Sequence, residues 1–254
     1  MACDANNTCS CALAIFCEGT LVYENPLYRA CFGMGFTPPP TAETCEPIFL
    51  TQPFPHVVAH TPLLRDEKEY SLFVALPFAE GDAREHILGR FQEMLTDIGT
   101  LFSRAKHRPP LRGVAVETLF RTVCLLAEQE FSLPFRPSGD TPEAGEYTRA
   151  DLRGLLMALG ILLPPMLARG SAHVHLQRCT DGWQMHWRGA SPPAHFFLRH
   201  LAVRLCKSGG ILLDFEENGF SFLFPAHRPK ELSLYTPKPS RVGRCLHLGF
   251  YLGE

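Results

Sequence analysis

The residues best suited to chemistry in this 254-residue chain are its 11 histidines and 10 cysteines. His173 and His175 alternate with apolar residues in AHVHLQR, so both fall on one face of a strand, and His186 in the next strand, WQMHWR, can join them. Three imidazoles within reach of one another would suit Zn²⁺, although no fourth ligand or carboxylate stands beside them in the sequence, and no metal is assigned. Cys3, Cys9, Cys11, Cys17 and Cys31 crowd into the first 31 residues. Zinc knuckles are usually built from paired C-x2-4-C motifs. Cys9-x-Cys11 is one residue too tight for that, so reduced thiols acting as small apolar fillers are expected, with metal or redox chemistry as the alternative. No Gly-x-Ser-x-Gly elbow, P-loop or dinucleotide fingerprint is present, which leaves hydrolase and nucleotide-transfer activities without a motif.

The elements that must position these residues fall into segments. With 46% hydrophobic content the chain can bury a sizeable core. Its 24 Lys and Arg against 26 Asp and Glu create no field that would draw it to nucleic acid. No apolar run approaches the roughly 20 residues of a membrane span, and the first residues lack the positive region of a secretory signal, so a cytoplasmic location is expected. From Ala12 to about Phe78, short apolar runs alternate with turns at Glu18-Gly19 and Arg65-Asp66-Glu67, which predicts a small sheet domain.

Leu88, Phe91, Leu95, Ile98 and Phe102 then recur at helical spacing, with Gly81-Asp82 before the helix and His107-Arg108-Pro109-Pro110 after it. Val116, Leu119, Val123 and Leu126 form the stripe of a second helix over Val114 to Phe131. Two such helices joined by a short turn predict an antiparallel hairpin, and pairing two hairpins into a four-helix bundle predicts a homodimer. Pro134 to Glu146 has the composition of a linker. An α/β segment follows, with Asn218-Gly219 as a hairpin turn, and 227–254 is a basic tail.

AIFCEGTLVYENPLYRACFG resembles the opening of a PAS sensor domain, the likeness resting on Asn25-Pro26 and Phe32-Gly33. In order and pattern the chain resembles a sensor histidine kinase. That resemblance implies an α+β multi-domain protein: a PAS-like mixed α/β sheet domain (9–79), a two-helix hairpin forming a dimeric four-helix bundle (82–131), an α/β sandwich of the histidine-kinase ATPase type (135–226) and a C-terminal tail (227–254).

It also implies a phosphoacceptor histidine on the first hairpin helix. His86 stands there, two residues before Leu88 and turned from the seam, and His107 is its rival near the hairpin turn. The partner so implied is the receiver domain of a response regulator. The nucleotide ligands of the family are missing: the places of its metal-binding asparagines hold Ala158 and Leu162, the place of its adenine-reading aspartate holds Gly189, and only Ser191-Pro192-Pro193-Ala194 fills the space of its lid.

The expected protein is therefore a degenerate, signalling relative of a histidine kinase, without ATP or another cofactor, acting as a histidine phosphotransferase or a non-catalytic regulator. A metal- or redox-responsive regulator using the N-terminal cysteines and a divergent active kinase are the alternatives.

Overall fold

The computed structural model describes residues 11–33, 36, 38, 40, 47–52, 54–65, 69–79, 81–107, 109, 111–131, 135–163, 172–189 and 195–227. The chain divides into two units, one running to Phe102 and the other starting at Ser103.

The first unit is built on an antiparallel sheet of order β2-β1-β5-β4-β3, comprising β1 (Ala12–Cys17), β2 (Thr20–Glu24), β3 (Ile48–Leu50), β4 (His56–Arg65) and β5 (Glu69–Pro77). Its first hairpin closes through Glu18 and Gly19, whose φ angles of 50° and 78° match the twist of the two strands. Helix α1 (Pro26–Phe32) lies over one face. Ala12, Ala14 and Ala75 keep that face low, so the rings of Tyr28, Phe32 and Phe36 come down onto Phe73, with centroids 5.6, 5.4 and 5.5 Å away in edge-on geometry. The opposite face, Leu13, Ile15, Val57, Ala59, Leu72, Val74 and Leu76, is buried as well.

Asn25 fastens the helix to the sheet. Its Oδ1 accepts from Tyr28 N as the N-cap of α1 (2.9 Å) and from Leu13 N (3.0 Å), while its Nδ2 donates to Cys11 O (2.9 Å). Pro26 follows at the first helical position, where a missing N–H costs nothing.

Helix α2 (Arg84–Lys106) begins three residues after Gly81 and ends just before His107. Of the expected seam, Phe91, Ile98 and Phe102 are buried, but Leu88 and Leu95 are half-exposed, and Ile87, Met94 and Leu101 are buried in their stead. The buried stripe is thus turned by about one residue, because Phe91 and Ile98 are shared by two candidate heptad frames and the sequence favours neither.

The second unit holds a sheet of order β6-β8-β12-β10-β9-β7, with β11 also paired to β12. The strands are β6 (Arg112–Ala115), β7 (Phe135–Gly139), β8 (Tyr147–Ala150), β9 (Ala172–Cys179), β10 (Gly182–Arg188), β11 (Leu212–Glu216) and β12 (Gly219–His227). Among the described residues, β7 with β9 is the one parallel pair of this sheet. Val174, Leu176, Trp183, Met185, Trp187, Phe220, Phe222 and Phe224 form the buried face. Helices α4 (Leu152–Leu162) and α5 (Phe196–Ser208) pack against each other. Their approach is close at Gly154, where an added Cβ would sit 3.2 Å from Leu205 O.

Two expectations change here. The segment between α2 and α3 (Val116–Phe131) is not a bare helical turn: β6 occupies it and pairs with β8, which makes α3 an element of the α/β unit. The expected linker likewise contains β7. Both strands are short, and Pro-rich neighbours mask their signal, while their pairing partners lie more than 30 residues further along the chain. The turn at Asp66-Glu67 and the tail from residue 228 fall outside the described residues.

Replacing Asn25 by Ala removes the cap and strands Leu13 N–H and Cys11 C=O inside the first unit. The expected loss is about 3 kcal/mol in urea unfolding, the sum of a cap and of buried groups left unpaired, and Asn25→Ser, which can keep the cap alone, is expected to restore about a third of it.

Candidate functional site

Helix α4 carries Ala158 and Leu162, the two positions compared with metal ligands in the sequence, and it is buried at every position except Arg153. Ala158 and Leu162 are both fully buried. Neither side chain carries an oxygen, and neither reaches solvent, so the places expected for metal ligands are core. Gly189 is exposed just after β10, with φ 104°, and donates its N–H to Asn218 O (3.2 Å). It offers no carboxylate. Gly170-Ser171 and Ser191 to Ala194 fall outside the described residues. A turn does join β11 and β12, but it is made by Glu217-Asn218, one residue earlier than the expected Asn218-Gly219, since Gly219 already pairs with Glu216 as the first residue of β12.

The start of α4 carries the most connected polar group of this unit. Asp151 is the N-cap, accepting from Arg153 N (3.3 Å) and Gly154 N (3.1 Å), and its Oδ2 also takes Arg104 Nη1 at 2.5 Å. Its own N–H donates to Gly209 O (3.0 Å). Ser208 donates its hydroxyl to Arg104 O and to Leu205 O, 3.0 Å in each case. The last turn of α2 is therefore tied to the first residue of α4 and to the end of α5 by one carboxylate and one hydroxyl. The sequence does not disclose this role of Asp151, because its partners are 47 and 58 residues away along the chain.

His86 is exposed in the first turn of α2, and its ring has no polar partner among the described residues. Asp82 does not serve it, since its Oδ2 accepts from Ala79 N (3.0 Å). His107 is exposed directly after α2, its backbone N–H donating to Ser103 O. The structure thus leaves both candidate imidazoles open to solvent and brings a base to neither.

His175 and His186 do come together, directly opposite one another on β9 and β10. His173 sits opposite Arg188 instead and is exposed. Among the described residues no three His, Cys, Asp or Glu side chains assemble as metal ligands. Of the N-terminal cysteines, Cys11 is buried and Cys17 and Cys31 are partly buried, while Cys3 and Cys9 lie outside the described residues.

A groove of about 430 Å³ runs between α3 and β7, with Phe120, Cys124, Leu125 and Pro137 as its apolar lining and Glu128 and Asp140 beside them. Burial and then the charge of Glu128 push the Cys124 thiol up to about 12, so it stays protonated and is a poor nucleophile. Among the described residues no helix is long and apolar enough to cross a membrane.

One buried titratable group was invisible in the sequence. His56 is fully buried beside Phe32 and Phe54, with centroids 5.3 and 4.8 Å away. Its Nδ1 lies against Phe54 O and its Nε2 has no hydrogen-bond partner. Burial lowers its pKa below the usual histidine range, against a smaller opposing effect of the Phe54 carbonyl.

No family model matches this chain, and no curated protein matches it. Solved structures similar to it include the cytoplasmic segment of histidine kinase QseC, with 15% identity and a TM-score of 0.32, covering 46% of this chain and 79% of that one. The blue-light activated histidine kinase EL346 of Erythrobacter litoralis has 10% identity and a TM-score of 0.30, covering 84% and 93%. Histidine kinase ThkA in complex with response regulator protein TrrA has 12% identity and a TM-score of 0.32, covering 87% and 96%. Likenesses of this depth assign no residue a role.

Two outcomes follow from Asp151 and His56. Asp151→Ala loses the cap and leaves Arg104 without its carboxylate, with an expected cost of about 3 kcal/mol or more in urea unfolding. Asp151→Asn, which retains the capping oxygen, is expected to lose less. The native fold disfavours protonated His56, so wild-type stability should fall as pH drops below about 6.5. His56→Phe should flatten that part of the pH profile, as measured by thermal unfolding between pH 7 and 5.

Proposed function

We propose that the chain is a two-component signalling protein related to sensor histidine kinases, in which the α/β unit is a scaffold that no longer holds ATP. The observation that carries this is the burial of Ala158 and Leu162: positions that would face Mg²⁺ and phosphate are packed into the core with no oxygen to offer. The order of elements supports the same kinship. A strand, an acidic-glycine turn, a second strand and an Asn-Pro-capped helix ending at Gly33 open the first unit, as in a PAS-like sensor. A long helix then leads into an α/β layer closed by the hairpin of β11 and β12.

On this reading the protein acts on a response-regulator receiver domain, by exchange of a phosphoryl group through His86 or by binding without chemistry. Phosphotransfer would form an N–P bond at the exposed imidazole of His86 as the acyl phosphate P–O bond of the regulator's aspartate breaks, and the imidazole N–H proton is released to water. Homodimerisation belongs to the same proposal. Leu88 and Leu95, seven residues apart and half-exposed on α2, are where a second copy would pack.

Titration calorimetry of the purified chain with Mg·ATP is expected to show no binding up to millimolar nucleotide, and micromolar binding would overturn the scaffold assignment. With a ³²P-labelled receiver domain, label should pass to the wild-type protein and not to His86→Ala. Transfer that survives this change and is lost in His107→Ala would move the role to His107. A regulator complex of unchanged affinity in the absence of any transfer would leave the binding role alone.

A further inference from the structure

The outward face of the second sheet presents an arrangement that phosphotransfer through His86 does not use. His175 and His186 occupy one register position on adjacent strands, with ring centroids 6.4 Å apart and planes inclined by 42°. Each ring is held at Nδ1 by a residue from a further strand. His186 Nδ1 lies 2.9 Å from Glu216 Oε1 on β11, and a carboxylate only accepts, so Nδ1 carries the proton and the lone pair is at Nε2. His175 Nδ1 lies 3.0 Å from Ser138 Oγ on β7. That hydroxyl can also donate to Val174 O at 3.4 Å, and when it does it accepts from His175 Nδ1–H. In that arrangement both imidazoles share one tautomer, with Nε2 unprotonated. Four strands contribute to this one local arrangement.

A histidine whose Nδ1–H is anchored on a carboxylate or other acceptor is the usual state of a metal ligand, since the anchor fixes the tautomer and raises ring basicity. We propose that His175 and His186 form an open binding site for a divalent transition ion of the zinc type, with Glu216 and Ser138 as their positioning residues and the remaining coordination places filled by water. With metal–nitrogen bonds of about 2.0–2.1 Å, two ring centroids at a tetrahedral centre stand about 5 Å apart, so closing the observed separation takes about 1 Å of ring movement. His173 stays outside, consistent with the absence of a three-residue cluster among the described residues. The two places left to water would admit a carboxylate or imidazole from a docking protein.

The test is a Zn²⁺ titration of the full chain followed through the ¹⁵N signals of the histidine rings, which separates uptake by imidazole from uptake by cysteine. The Nε2 resonances of His175 and His186 are expected to shift together and saturate at one equivalent. His186→Gln should weaken the response of His175 at least tenfold, and His175→Gln should do the same to His186. Glu216→Gln should weaken both by roughly 10-fold or more while the fold, checked by circular dichroism, is retained. His173→Ala should change nothing. Zinc taken up with both rings unmoved would overturn the proposal, as would full affinity of one ring in the absence of the other.

Discussion

The second unit depends on a single carboxylate being where it is. Helix α4 is apolar almost throughout, and such a helix gains its burial only if the free N–H groups of its first turn are satisfied before they enter the core. Asp151 satisfies two of them and uses its remaining capacity on Arg104. The ion pair and the cap share one side chain, so the charge that would be costly to bury is paired and hydrogen-bonded. Gly154 and Gly209 keep the space around it clear: an added Cβ at Gly154 would stand 3.0 Å from Asp151 Oδ2, and one at Gly209 would stand 3.2 Å from Asp151 Cβ. The capped helix, the close approach of α5 and the end of α2 are thus set by overlapping contacts.

Asn25 solves the same problem in the first unit with a neutral group. It serves the backbone at three points while nearly fully buried, and its amide has both donor and acceptor where Asp151 has acceptors only. The sequence showed Asn25 through Pro26, because an Asn before a helical proline is a local signature. Asp151 had a weaker local signature and no visible partner.

That difference describes what was legible. Elements whose signals are local were found: the Glu18-Gly19 turn, the hairpin of β11 and β12 though with its loop one residue early at Glu217-Asn218, the stripe of α3 and the alternation that buries Val174, Leu176, Trp183, Met185 and Trp187. Elements defined by distant pairing were missed, namely β6, which occupies the expected turn between α2 and α3, and β7, which lies in the expected linker. His175 and His186 were expected on one face with His173. The structure keeps the first two together, and the partners that hold them come from other strands: Ser138 from β7, whose pairing no local pattern discloses, and Glu216 from β11, which β12 separates from β10.

The strand β7 has a consequence for association. It ends the sheet on one side and contains Pro137, which has no N–H to give a further strand, while β6 at the other end of the order is only four residues long. Edges blunted in this way resist growth by strand addition, the route by which sheets run on into aggregates. At these two ends of the order, association by strand addition is therefore disfavoured.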